Sequence, residues 1–363
     1  SGRQRERRGG VAALIRRKTT FVVGAGSSFE LGLPLGDKLR DEIAKLIDIR
    51  FKGYNDFVSG DHSIYLALKK HCESFEGLGI NDLLHKCWLL RDGLPAAISI
   101  DNLLDAHRHD EHIAFIGKVA IAKSILAAER ASTLYWDRNN QKQFQLQQAV
   151  GSWLIPLFQK LTENVAKEDA DEIFKNVCFV VFNYDRCLEY FLPRALSAYY
   201  GLSDEEAKQI AGSAIIYHPY GQVGALTQGA SEGVAEFGES DRNLDAVVTR
   251  IRTFTEGLRY ESHSEAIKES LRTTENLVFL GFAFHPINME ILRLTGESNL
   301  KKVFGTTVGL ADAAVRRVKE DIFLTLNKRV NDGKHASAKF LDEINLEARG
   351  ASDFLYAHFR SLE

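Results

Sequence analysis

The chain has 363 residues, which at about 150 residues per domain suggests two domains, with 46 Lys plus Arg against 49 Asp plus Glu and a formal charge of −3. Its 45% hydrophobic and 26% charged content excludes a disordered, collagenous or strongly nucleic-acid-binding chain. Cys72, Cys87, Cys178 and Cys187 are too widely spaced for a C-x-x-C pair, which excludes a small disulfide scaffold and a zinc knuckle.

Residues 1–18 form a basic N-terminal arm carrying Arg3, Arg5, Arg7 and Arg8. A solvated terminus is the plainer reading of such an arm, so direct nucleic-acid binding is not expected. Its apolar stretch, 11–15, is shorter than a signal-peptide core or a membrane span, which predicts a soluble, cytoplasmic protein without membrane association. Short β-branched and aromatic runs stand at 19–23, 177–182, 214–217, 277–281 and 303–308. They are nearly continuous in apolar character, as strands of a parallel sheet buried on both faces are. The predicted fold class is α/β: a doubly wound, mostly parallel Rossmann-like sheet with a large inserted all-helical domain. The sheet domain takes 19–36 and 176–330, the insertion 37–175, and the C-terminal helical and strand extension 331–363.

Within the insertion, Leu39, Ile43, Leu46 and Ile47 recur at helical spacing, with Asp37 as the expected N-cap. Asp110 caps a second helix running to about Ala131, whose apolar face is Ile113, Ile116, Ala120, Ile121, Ile125 and Leu126. A third helix runs from Gln141 through Phe158, with Pro156 expected to interrupt or kink it. Residues 221–240 are rich in Gly, Ser and Glu and read as a long loop of the kind that carries function.

The strongest local signal is Phe21-Val22-Val23-Gly24-Ala25-Gly26-Ser27-Ser28, which sets two glycines and two hydroxyls where a strand stops. Lacking a Cβ, Gly26 lets backbone approach a phosphate, and the N–H groups of the next helix start attract negative charge. The ordinary dinucleotide fingerprint is not met: the next glycine is Gly32, and no acid ends a second strand about 20 residues on. Gly32-Leu33-Pro34 follows, where Pro34 stiffens the loop beside the turn. Three more segments stand at strand ends: Phe182-Asn183-Tyr184-Asp185, Tyr217-His218-Pro219-Tyr220-Gly221, and Leu280-Gly281-Phe282-Ala283-Phe284-His285-Pro286-Ile287-Asn288. Taken singly, each also has a structural reading. Asn183 and Asp185 make good helix caps, His218 suits a satisfied structural role, and Asn288 suits the N-cap of a helix over 289–294.

Taken in order, the four segments resemble the sirtuin family. Its GAGxS turn is followed by a G-[IL]-P loop over the nicotinamide end of NAD, then by an Asn-x-Asp, a strand ending in His before Gly, and a Gly turn on the adenosine side. The resemblance covers the sheet domain. It implies that Gly24, Ala25, Gly26, Ser27, Ser28, Pro34, Asp185, Gly281, Phe282, His285 and Asn288 bind NAD, with Asn183 and His218 catalytic. The four zinc cysteines of deacylating sirtuins are absent, so no metal is expected, and Leu35-Gly36-Asp37 stands where those enzymes carry Asp-Phe-Arg. Both departures resemble the sirtuin-like effectors of bacterial anti-phage systems, which hydrolyse NAD. Ser99-Ile100-Asp101-Asn102-Leu103-Leu104-Asp105 and Gly117-Lys118 extend that resemblance into the insertion.

Breaking the nicotinamide–ribose bond spreads positive charge over C1′ and the ring oxygen, so a site acts there by positioning and electrostatics. Asn183 offers a donor and an acceptor for ribose hydroxyls or a water beneath C1′. Asp185 suits either the nicotinamide carboxamide or a tether for the neighbouring loop. His218, neutral above its ordinary pKa of about 6.5, suits a base toward a ribose hydroxyl or the attacking water, a role the resemblance also implies. His285 is divided between a phosphate or ribose contact and shaping the turn. Phe237-Gly238 is either a pocket cover or an apolar anchor. His71, Cys72, Cys87, His107 and His109 form no metal pattern.

The expected function is NAD glycohydrolysis to nicotinamide and ADP-ribose, with a non-catalytic NAD or ADP-ribose sensor and a zinc-less lysine deacylase as alternatives. Free NAD hydrolysis is toxic and the chain carries no sensor motif such as a P-loop. The trigger is therefore expected elsewhere. The resemblance implies a HerA-type DNA-translocating ATPase, a short Argonaute or self-assembly into a homo-oligomer, with the helical insertion as the contact surface.

Overall fold

The computed structural model describes residues 15–53, 56–137, 144–226, 233–239, 244–259, 261–295, 297–326 and 343–362. Arg3, Arg5, Arg7 and Arg8 lie outside the described residues. In chain order the elements are β1 (Thr19–Val23), α1 (Ala25–Phe29), α2 (Gly36–Ile47), β2 (Arg50–Lys52), β3 (Asp56–Ser59), α3 (His62–Glu73), α4 (Ile80–Gly93), α5 (Ile100–Ala106), α6 (Glu111–Ala131) and α7 (Leu154–Thr162). Then come β4 (Val177–Val181), α8 (Cys187–Tyr200), α9 (Asp204–Ala211), β5 (Ile215–Tyr217), α10 (Leu244–Val248), α11 (Phe254–Arg259) and α12 (Glu261–Thr273). The chain closes with β6 (Asn276–Leu280), α13 (Pro286–Ile291), β7 (Lys302–Thr306), α14 (Asp312–Thr325), β8 (Ile344–Glu347) and α15 (Ala351–His358).

Six of these strands form one parallel sheet in the order β5-β4-β1-β6-β7-β8. Counting only the sheet's own strands, that order is 3-2-1-4-5-6, the doubly wound Rossmann arrangement. The fold is α/β and Rossmann-like. β1, β4 and β6 are buried at every residue, which is why they read as unbroken apolar runs. Alternate residues serve opposite faces. Val22, Val180 and Phe279 join a core with α2 to α6, whereas Phe21, Phe179 and Val278 join a second core with α7, α8 and α15.

The structure departs from the expected elements at four places. The inserted stretch is not all-helical, because β2 and β3 form an antiparallel hairpin within it. β8 adds a sixth strand to the sheet from the C-terminal extension. Asp37 does not cap α2; the cap is Leu35, two residues earlier, and Asp37 lies in the first turn, where its charge suits the positive helix end. The expected third helix is broken: a 3₁₀ turn over Leu146–Ala149 precedes α7, and Gln141 lies outside the described residues. Pro156 falls in the first turn of α7, where the missing N–H has no intrahelical partner to lose, so it does not break the helix. Asp110 caps α6, accepting from the N–H groups of His112 and Ile113, both at 3.1 Å. Among the described residues, no helix is long and apolar enough to cross a membrane.

Candidate active site

In a doubly wound sheet the crevice opens where the strand order reverses, here at the C-terminal ends of β1 and β6. Two backbone corners meet at this point. Gly24 N–H donates to Leu280 O and Gly26 N–H to Gly281 O, both at 2.9 Å. A Cβ on Gly24 would lie 2.6 Å from Gly281 O, and one on Gly26 would lie 2.8 Å from Gly281 Cα. The glycines are thus used for packing the two corners together, a demand the phosphate reading did not include. Ser27 Oγ closes the first corner by donating to Gly24 O at 2.7 Å. Ala25 and Gly26 remain half-buried at its tip. Beyond Gly281, Phe284 holds a left-handed φ of +54, kept there by rings on either side, Phe279 at 5.0 Å and Phe282 at 5.2 Å between centroids.

Next to this corner, the ends of β1 and β4 exchange hydrogen bonds. Asn183 Nδ2 donates to Ser28 Oγ at 2.8 Å, and Ser28 Oγ donates to Asp185 Oδ2 at 2.8 Å. Asp185 Oδ1 accepts from Cys187 N at 3.1 Å and so ties the start of α8. The relay fixes the Asn183 amide with nitrogen toward Ser28 and leaves Oδ1 as its acceptor. Burial lifts the Asp185 pKa above the ordinary carboxylate range, against the pull of the Cys187 and Ser28 hydrogen bonds.

His218, at the end of β5, joins the group through Nδ1, 3.1 Å from Asn183 O. Its Nε2 lies 2.6 Å from Glu189 Oε1. A carbonyl and a carboxylate both accept, so the imidazole has no free lone pair in this arrangement, unlike the neutral base expected from the sequence. Burial alone would lower its pKa; the Glu189 carboxylate and the Asn183 carbonyl outweigh that and raise it. A raised folded-state pKa stabilises the fold most below the unfolded value, about 6.5, and that contribution fades as pH climbs through the folded one. His218→Gln is therefore expected to destabilise the protein most in mildly acidic buffer and progressively less toward alkaline pH. Urea titrations of both proteins from about pH 6 to pH 9 read this directly; a gap that widens with pH contradicts it.

The insertion reaches the same region by two links. The Tyr184 hydroxyl donates to Asp101 Oδ1 on α5, which Ser99 caps through Asn102 N. Gly117 lies against Leu104, where a Cβ would come within 2.5 Å of Leu104 Cδ2, so the two insertion segments singled out in the sequence pack on each other. The second link is ionic. Glu129 of α6 and Arg186 are both wholly buried and meet at 2.5 Å. Glu129 also accepts from Gly238 N at 3.0 Å, and Arg186 donates to Ala235 O at 2.6 Å and Glu236 O at 3.0 Å. The pair pins the long loop to the Asn-Tyr-Asp segment. Phe237 is buried and stacks on Tyr190 at 4.0 Å, the anchor arrangement.

The remaining sequence-nominated residues scatter around this group. Pro34 is half-buried in the loop after α1. Phe282 is buried in an aromatic cluster with Phe182 and Phe279, at 5.0 and 5.4 Å. His285 is exposed at the cap position of α13. Asn288 is not an N-cap: it lies inside α13, and its Oδ1 accepts from the Tyr220 hydroxyl at 2.6 Å. Sequence reading missed Glu189, Glu129 and Arg186. Their one local signal is a lone charge beside buried apolar residues, as in Cys187-Leu188-Glu189-Tyr190-Phe191. His218 also lines a cleft of about 720 Å³ on the β5 side, which Gly26, Ser28 and Asn183 do not line. The histidine is thus shared between the hydrogen-bonded group and that cleft. Among the described residues, no cluster of three His, Cys, Asp or Glu side chains is arranged to hold a metal ion. Compared with known proteins, the chain matches no family model and no curated protein sequence.

Proposed function

We propose that the chain is an NAD glycohydrolase that cleaves the nicotinamide–ribose bond of NAD to nicotinamide and ADP-ribose without a metal. The observation that carries this reading is the Asn183–Ser28–Asp185 relay, buried beside the glycine corner at the point where the strand order reverses. Ligands of doubly wound sheets bind in that crevice. In the proposed reaction the C1′–nitrogen bond breaks, water supplies the new C1′–oxygen bond, and a base takes the water's proton. Asn183 Oδ1 positions the water or the ribose hydroxyls. His218 acts as base only after Nε2 leaves Glu189, so the observed pairing belongs to the resting form. Resting inactivity accords with the toxicity of free NAD hydrolysis. Activation then comes from homo-oligomerisation or a partner in the cytoplasm, a HerA-type ATPase or a short Argonaute, as the resemblance to anti-phage effectors implies.

The test is nicotinamide release from NAD, followed across oligomer fractions and with each class of partner. Release is expected in the assembled form, and Asn183→Ala is expected to reduce it about 100-fold or more, the usual scale for losing a positioning or electrostatic contact. Undiminished release from Asn183→Ala, or none from any fraction, overturns the proposal. The engagement of both His218 ring nitrogens favours a second reading, a module that binds NAD or ADP-ribose without turnover. Binding without nicotinamide release identifies that case. Release that requires an acyl-lysine peptide identifies a deacylase.

A further inference from the structure

The cleft at the β5 edge is lined by His218 and Glu189 but not by Gly26, Ser28 or Asn183 of the glycine corner and relay. Its wall combines an apolar side, including Leu192 of α8, Ala211 of α9, Ile216 of β5 and Leu226, with the cations Lys208, Arg250 and Arg252. Two of these cations arrive for a stated backbone reason. Gly221 adopts φ +69, and a Cβ there would stand 1.8 Å from Arg250 O. Without that atom, residues 250–252 pair with the turn after His218: Gln222 N–H donates to Arg250 O at 3.2 Å and Arg252 N–H to Tyr220 O at 2.9 Å. The glycine three residues after the histidine thereby brings two arginines to the cleft that the histidine lines. Among the described residues that line it, the carboxylate is Glu189, already engaged by His218 although its Oε2 is buried without a partner, and Lys208 pairs with Glu205 at 3.2 Å. Gln222 Oε1 is likewise buried and unpartnered in the wall.

We propose that this cleft is a second ligand site that binds a nucleoside phosphate, with base and sugar against the apolar wall and phosphate between Arg250, Arg252 and Lys208. Guanidinium groups match phosphate oxygens in a two-pronged geometry, and the volume lies in the range of small-molecule sites. Gln222 Oε1 offers a hydrogen-bond acceptor to the amino or hydroxyl groups of such a ligand. The site stands whether or not the chain hydrolyses NAD.

Isothermal titration of the full chain with ADP, AMP and inorganic phosphate tests it. ADP is expected to bind more tightly than AMP, and phosphate alone about 10-fold or more weakly than ADP. Arg250→Gln and Arg252→Gln are each expected to weaken ADP binding about 10-fold. Circular dichroism verifies the fold of each variant, and Arg250→Lys, which retains charge but loses the fork, is expected to bind at an intermediate level. The proposal falls if ADP and AMP give no heat at millimolar concentration, if folded arginine variants bind as the unmodified chain does, or if phosphate binds as tightly as ADP. Nicotinamide release plays no part in these outcomes, so failure here and failure of the NAD reading are told apart.

Discussion

Replacing Glu129 with glutamine is expected to lower the unfolding free energy by about 3–5 kcal/mol, the cost of leaving a buried Arg186 without its counter-charge. Neither side chain reaches solvent. Each carboxylate oxygen accepts two hydrogen bonds: Oε1 from Arg186 N and Nε, both at 3.0 Å, and Oε2 from the Arg186 guanidinium and Gly238 N. An amide retains only one acceptor oxygen, so two donors lose their partner and an NH₂ group faces them. The same change loosens the loop held by Arg186 and the adjoining Asp185, so the relay to Ser28 is disturbed with it. A pair of apolar replacements, Glu129→Leu with Arg186→Met, removes both charges and is expected to cost less than Glu129→Gln alone. Urea unfolding of the three proteins decides this. A loss under about 1 kcal/mol for Glu129→Gln shows that the pair does not hold the insertion to the sheet.

Gly281→Ala is expected to be destabilising by about 2–5 kcal/mol, the sum of a left-handed backbone cost of about 1–2 kcal/mol and overpacking of about 1–3 kcal/mol. At φ +57, an added Cβ would lie 2.0 Å from Ser27 N and 2.4 Å from the Gly26 carbonyl carbon. These are backbone atoms, which have no rotamer to yield with, so the β1 and β6 corners must separate. Gly309 supplies the control: φ is +83, yet nothing lies within 4 Å of an added Cβ. Gly309→Ala is therefore expected to show the backbone cost alone, about 1–2 kcal/mol. The difference between the two substitutions measures the corner contact. Equal losses would show that the contact contributes nothing.

The strands were legible where burial is complete. β1, β4 and β6 are covered on both faces, so apart from Thr19, Thr20 and Asn276 at their starts every residue in them is apolar, and composition alone exposes them. β8, an edge strand, alternates one buried residue with exposed and half-buried ones, and its sequence Ile344-Asn345-Leu346-Glu347 reads like loop. The hairpin strands β2 and β3, of three and four residues, lie half in solvent, so their pattern vanishes among the surrounding helical periodicities. Asp110 was legible because a cap acts within three residues of itself. The alternative reading of Asn288 as a cap fails because Pro286, not Met289, starts the helix.

The candidate site divides in the same way. Each polar residue at a strand end, Ser28, Asn183, Asp185 and His218, was visible in its own segment, because the change from apolar run to glycine or amide is local. Their partners were not. Glu189 meets His218 across 29 residues and Glu129 meets Arg186 across 57, and no spacing rule connects charges at such separations. By itself the sequence determined which segments are buried strands and which chemical groups stand at their ends, since burial is written in neighbouring residues. The tertiary structure decided which groups touch: setting β1 between β4 and β6 brings chain positions far apart to one point, where charge and hydrogen bonding are satisfied by geometry rather than by proximity in sequence.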